Sequence, residues 1–402
     1  MIVTFPLVRR QTIQVSAWVH GALVALFLVS VPLSVQKWLK DALTVLFSLI
    51  LVLSLLSRGA KYTVPLKLLY LYVLLLSLMW LIDLVHSGNI YSASIFAYRR
   101  LGYFLVAFSI LLHPKVNSIH IGYPLLIFSV LHWIFAPKEI DQFGRVVLIG
   151  ILASRVTTGV LAAWGALLIL QDAAKERNIW KHVLGIITVW IAAWLAVMTV
   201  SKTAILMLLI GLCVYILYTS SITNILVKCN ILLLISILVI MIIGLKFTQK
   251  FFSPLIYDLT LYQTRTTSFG QRMVEWIIGV KEVGQWPTPL IGRGWEMLPK
   301  IVKQGIFEWR THIGIPIQGI DHTFQSVLVD TLVAYGLLVG GAYLGFIGRL
   351  WLLAFRRGIS SILLTAILPL ITVNSFSFGN GYEPVFWVGL MLALKSKGKD
   401  ER

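Results

Sequence analysis

The chain has 402 residues, of which 58% are hydrophobic and only 12% charged, and its mean hydropathy is +0.88. Soluble domains carry about twice that share of charge. A water-soluble globule is therefore excluded, and the fold class expected is all-α, a polytopic transmembrane helical bundle. The net charge of +18 points to anionic partners such as membrane lipids or phosphates, and with no soluble basic domain nucleic acid is not among them.

In chain order, Arg9 and Arg10 precede an apolar run from 12 to 33 that is too long for a signal peptide and lacks a small-residue cleavage site. It reads as a first span kept in the mature protein. Stretches near 20 apolar residues predict about 12 spans, at 13–34, 38–57, 64–86, 96–113, 117–136, 146–170, 182–200, 202–219, 226–247, 322–348, 358–376 and 383–394. Arg58, Lys61, Lys115, Lys175, Arg177, Lys181, Lys228, Arg356, Arg357 and the basic tail from Lys395 to Arg402 then share one side with Arg9 and Arg10. Both termini are accordingly expected inside. Cys213 falls within a span and Cys229 near an inner end, which suggests neither a disulfide framework nor a metal site.

This parity divides the chain into residues 1–247 with spans one to nine, an outer loop at 248–321, and residues 322–402 with the last three spans and the tail. A long loop in a compact protein is usually functional. The loop holds eight Lys or Arg against six Asp or Glu.

Within it, Ser268 and Gln271 form a capping-box signature. In the helix that follows, Val274, Ile277 and Ile278 are expected as the apolar stripe, with Arg272, Glu275 and Trp276 on the other face. Arginine beside an indole suits a phosphate and a sugar ring; the same set equally reads as a surface ion pair beside an interfacial Trp. The segment from Trp286 to Trp295 is a turn-rich connector in which glycines flank Arg293. At the loop's end, Asp321 is the expected N-cap, placing His322 in a first helical turn. The helix dipole there favours a neutral imidazole, the state of a general base. The alternative is a wetted interfacial histidine without a role.

Other charges stand out against the membrane. Arg155 lies mid-span, where a cation implies a partner or a polar cavity. Arg99 and Arg100 open the fourth span on the outer side, and Lys202 sits at the outer hinge between spans seven and eight. Asp83 and Asp330 lie near or within spans and suit structural counter-ions. No paired-carboxylate, metal-ligand, Walker or nucleophile-elbow pattern is present, so no metal and no cofactor is expected.

Four of these elements, in this order, resemble the O-antigen ligase and O-antigen polymerase superfamily. They are Ser201-Lys202-Thr203-Ala204 opening a span, Arg272 to Trp276 in the large loop, Pro289-Leu290-Ile291-Gly292-Arg293-Gly294, and His322-Thr323 followed by Gly336 to Gly340. The match covers about 195–350 and is most like the ligases. Lys202 stands where arginine is usual, Thr323 replaces an Asn, and Asp330 is near where a Glu often appears. The resemblance implies a glycosyltransferase of the bacterial inner membrane with its site on the periplasmic face. It would transfer a glycan from undecaprenyl diphosphate to lipid A–core in lipopolysaccharide biosynthesis, without a metal. His322 would be the base; Arg272 and Lys202, with Arg265 and Arg99 or Arg100, would hold the diphosphate; Trp276, Arg155 and Asp330 would support them. A polymerase would join lipid-linked repeat units by the same chemistry, usually with two sizeable outer loops rather than one. A non-enzymatic transporter of the lipid-linked glycan would show paired repeats and interrupted spans.

Overall fold

The structure is a computed structural model that describes residues 16–30, 41–47, 63–113, 115–136, 138–140, 146–148, 155–174, 178–199, 201–218, 268–286, 288–313, 324, 326–356, 362–367 and 382–395, with isolated positions 49, 232 and 235. These residues are helical apart from connections and one small hairpin. Among the described residues five helices are long and apolar enough to cross a bilayer, and three shorter apolar helices accompany them. A multi-pass membrane bundle is the architecture this supports.

The first helices are α1 (Ala17–Ser30), α2 (Thr63–Ser87), α3 (Ile90–Leu112) and α4 (Ser118–Phe135). Strands β1 (Lys138–Ile140) and β2 (Val146–Leu148) follow, paired antiparallel with Glu139 opposite Val147. Helices α5 (Arg155–Ala173), α6 (Ile179–Met198) and α7 (Lys202–Tyr218) come next. The expected sixth span is corrected by the fold. Its first residues are β2, and Arg155 begins α5 instead of lying mid-span. The fourth span is likewise corrected, because Asn89 caps α3 by accepting the amides of Tyr91 and Ser92 at 3.0 and 3.3 Å. Arg99 and Arg100 therefore lie several turns inside that helix and do not open it.

In the second half, α8 (Ser268–Val283) leads through a 3₁₀ turn (Trp295–Met297) into α9 (Leu298–Ile313). Helix α10 (Val327–Tyr335) continues through a π-turn (Gly336–Gly340) into α11 (Gly341–Phe355), and α12 is Tyr382–Lys395. Helix α10 is N-capped by Ser326, whose hydroxyl accepts the Val329 amide. The helix start expected at Asp321, with His322 in its first turn, lies outside the described residues, which place a helix start at Val327.

Two packing regions meet along α12. In the first, α4, α6 and α7 pack around α5. A Cβ on Gly122 would stand 2.7 Å from the Gly165 carbonyl, and one on Gly165 would stand 2.8 Å from the Gly122 carbonyl. Two backbones touch there because neither residue has a side chain, the usual way helices associate in lipid. Pro124 has no amide to give the His120 carbonyl, and Gly21 of α1 fits over that carbonyl, where a Cβ would be only 2.2 Å away. The second region joins α2, α3, α12, α10 and the 3₁₀ turn. Helix α3 runs through it, from the Asp83 and Trp295 end to the end where the Lys395 ammonium caps the carbonyls of His113 and Val116.

Candidate functional site

The segment 289–294 and the end of α10 are built for each other. In an unbroken helix the amides of Leu337 and Leu338 donate to Val333 and Ala334. Here Gly336, at φ +65°, breaks that continuity, and the connector takes up the freed groups. Leu337 N–H donates to the Pro289 carbonyl at 2.9 Å and Leu338 N–H to that of Leu290 at 3.3 Å. In return, Arg293 N–H and Gly294 N–H donate to Val333 and Ala334 at 2.9 and 2.8 Å. Each unsatisfied backbone group in hydrocarbon costs several kcal/mol, so the break is tolerable only with this clip in place. Gly292 is at φ +83°, and a Cβ there would lie 2.4 Å from the Ala334 oxygen; one on Gly336 would lie 2.4 Å from the Leu290 oxygen. The glycines of the Pro-Leu-x-Gly-x-Gly element thus admit a backbone, and Arg293 between them pairs with Glu282 at 2.9 Å.

Beneath the clip lies a buried charge network. Asp83 on α2 accepts the Trp295 amide at 2.6 Å through Oδ1 and the Tyr335 hydroxyl at 3.1 Å through Oδ2. The Arg100 guanidinium lies over the Trp295 ring at 4.5 Å and reaches Tyr335 Oη at 3.5 Å and Met79 Sδ at 3.6 Å. Its Nε is 3.9 Å from Glu383 Oε2 on α12, and the other oxygen of Glu383 accepts the Trp387 indole N–H at 3.3 Å. Asp83, Arg100 and Glu383 are all at most 5% exposed. At 4 Å and an intermediate dielectric the attraction is on the order of 4 kcal/mol, similar to the desolvation it must offset. Such a set adds little net stability, yet breaking it is expensive. Its value is geometric, since it fixes α2, α3, α10, α12 and the connector to one another.

No protein-family model matches the chain, and no curated protein matches it.

The residues singled out from the sequence fall into three groups. His322 and Arg265 lie outside the described residues. Arg272, Lys202 and Arg155 are described in backbone only: Arg272 on α8, Lys202 at the start of α7, Arg155 at the start of α5. Arg99, Arg100, Trp276 and Asp330 are placed with their side chains. Arg99 is half-buried, and Arg100, expected at the outer rim, is enclosed by the network above. Asp330 is buried, and its Oδ1 accepts the Phe324 amide at 2.8 Å, tying down the residues that follow His322. Trp276 is half-buried, its indole N–H without a hydrogen-bond partner among the described residues.

Helix α8 corrects the predicted stripe. Glu275 is fully buried, whereas Ile277 is 37% exposed. The helix turns Glu275 and Gly279 inward because a neighbour needs the room: a Cβ on Gly279 would meet Val329 at 2.2 Å and Phe324 at 3.1 Å. The helix bearing Arg272 is thereby pressed against a residue two positions past His322. Elsewhere, Gly159, one turn into α5, abuts Thr199 and Ser201, where a Cβ would find atoms at 2.5 and 2.7 Å. The helix starts carrying Arg155 and Lys202 are therefore neighbours. Helix α7 packs chiefly on α5 and α6, and α8 on α9 and α10. Sequence reasoning noticed Asp83 but passed over Glu383, Tyr335 and Trp295. The available signal was a carboxylate inside a predicted span.

Among the described residues no three His, Cys, Asp or Glu side chains gather as metal ligands would.

Proposed function

We propose that this chain is a membrane glycosyltransferase of the O-antigen ligase type. It has about twelve spans with both termini in the cytoplasm of a bacterial inner membrane, and its 248–321 loop lies on the periplasmic face. The donor is an undecaprenyl-diphosphate-linked glycan and the acceptor is lipid A–core. His322 removes the proton from an acceptor hydroxyl as that oxygen attacks the anomeric carbon. The bond from this carbon to the diphosphate breaks with inversion, and the leaving electron pair passes to the diphosphate, held by Arg272 and Lys202.

One observation carries this reading. The Pro-Leu-Ile-Gly-Arg-Gly element and the Gly336 break, read from the sequence as separate motifs, interlock through four backbone hydrogen bonds. Helix α8, with Arg272, leans on the same α10 that follows His322. Along α3, the loop residue Trp295 meets Phe96 and Arg100, and Lys395 meets the carbonyl of His113 roughly 20–25 Å further on, an arrangement in keeping with loop and tail on opposite faces.

The test is reconstitution of the purified chain in lipid nanodiscs with donor and acceptor. Transfer is expected to fall at least a hundredfold in His322→Ala and about a hundredfold in Arg272→Ala, the scale of losing one charge-stabilising contact. Normal transfer by His322→Ala would remove His322 as the base. Supplying a second lipid-linked glycan in place of lipid A–core separates ligase from polymerase.

A transporter is the second reading, favoured by one feature: the membrane helix from Val327 to Phe355 is interrupted at Gly336, as helices in transporters are. Movement of labelled donor across the bilayer with no glycosyl transfer would decide for it.

A further inference from the structure

The interlock of connector and broken helix leaves one question for the chemistry: what sets the outer loop in register with the bundle beneath it? Backbone bonds join 289–294 to α10, and a clip of that kind lets both move as one piece. The contact that anchors the pair elsewhere is Asp83. One carboxylate oxygen holds the Trp295 amide at 2.6 Å, immediately after the clip, and the other holds the Tyr335 hydroxyl at 3.1 Å, immediately before the break. Gly294, at φ +79°, lets the chain pass, since a Cβ there would stand 3.0 Å from His86 and 3.5 Å from Asp83. The Trp295 and Tyr335 rings then lie nearly parallel, 20° apart, and both face Arg100. The residue before the break, one turn of the loop and one membrane helix converge on a single side chain that is 3% exposed.

We propose that Asp83 is a positioning residue: it latches the connector and the broken helix to α2, and so fixes α10 and, through it, the α8 that packs against it. Asp83 touches no substrate in this proposal. It acts through Trp295 and Tyr335, and the catalytic role rests on the function proposed above. The latch itself does not.

The distinguishing variants are Asp83→Asn and Asp83→Leu. Asparagine keeps an oxygen for the Trp295 amide and an amide group that the Tyr335 hydroxyl, turned around, can meet. Leucine is of similar size and offers neither. The full-length protein in nanodiscs is examined by hydrogen exchange and by transfer kinetics. In Asp83→Leu the amides of Arg293, Gly294 and Trp295 are expected to exchange at least tenfold faster, while those in α4 and α5 do not change. kcat is expected to fall ten- to a hundredfold with KM for donor within about twofold, the scale at which small misplacement acts. Asp83→Asn is expected to restore both to within about threefold of the parent. Unchanged exchange at 293–295 in Asp83→Leu overturns the latch. Faster exchange with unchanged kcat overturns its role in positioning. If the parent protein transfers no glycan at all, the proposed function fails, and the exchange measurement still decides whether Asp83 is the latch.

Discussion

The α4–α5 contact and the Asp83–Arg100–Glu383 network solve one problem in opposite ways. Both bring helices together where water gives no hydrophobic drive between them. At Gly122 and Gly165 the solution is subtraction: side chains are missing, and backbones meet. At the network the solution is addition, with three charges, two ring faces and a broken helix that can be satisfied only in one arrangement. The first kind of contact is permissive about chemistry and strict about volume. The second is strict about both. It is the second that lies under the loop, where a transferase needs its parts held still.

Substitutions can break or sharpen this contrast. The largest effect is expected from Arg100→Leu, which leaves the Glu383 carboxylate buried without its guanidinium; loss of one partner from such a set costs about 3–5 kcal/mol. Thermal unfolding in detergent measures it, and adding Glu383→Gln to the same protein is expected to recover part of the loss. Gly165→Leu follows at about 3 kcal/mol, the upper range of overpacking, because a backbone carbonyl at 2.8 Å cannot move aside as a side chain can. An effect below about 1 kcal/mol there would mean the two backbones do not touch. Gly292→Ala is expected to cost about 2 kcal/mol from its positive φ and its crowding against Ala334. It should depress transfer more than it depresses thermal stability. The smallest effect belongs to Trp286→Ala, within about 0.5 kcal/mol, since that ring is 71% exposed.

Much of the helical layout was legible in the sequence, and the reasons for success and failure are specific. Helices expected at 117–136, 182–200 and 202–219 appear as Ser118–Phe135, Ile179–Met198 and Lys202–Tyr218, the last among the shorter apolar helices, because long apolar runs flanked by Asn or Lys define their own ends. Hydropathy could not foresee the 138–148 hairpin, whose Val-Val-Leu strand is as apolar as a helix start. It could not place Arg100 either, since a residue that appears to open a span is buried once Asn89 caps the helix further back. Ser326 caps α10 in the fold, and Asp330 takes the Phe324 amide just ahead of it, contacts that the residue types alone did not single out. The Glu275 error has the same origin: which face of α8 is inside depends on Gly279 fitting Val329 and Phe324, a contact some fifty residues away in sequence. As for the candidate site, its motifs could be read one at a time, whereas their interlocking depends on a positive φ at Gly336 that no residue pattern announces.

The pairing of Arg100 with Glu383 also has a meaning in time. A ribosome adds roughly 5–20 residues per second, so about fifteen seconds to a minute separates the synthesis of the two. Throughout that interval α2 and α3, which pack together in the finished fold, have been made and α12 has not. The carboxylate these two early helices offer near Arg100 is Asp83. The later arrival of α12 brings Glu383 to Arg100 and completes the network.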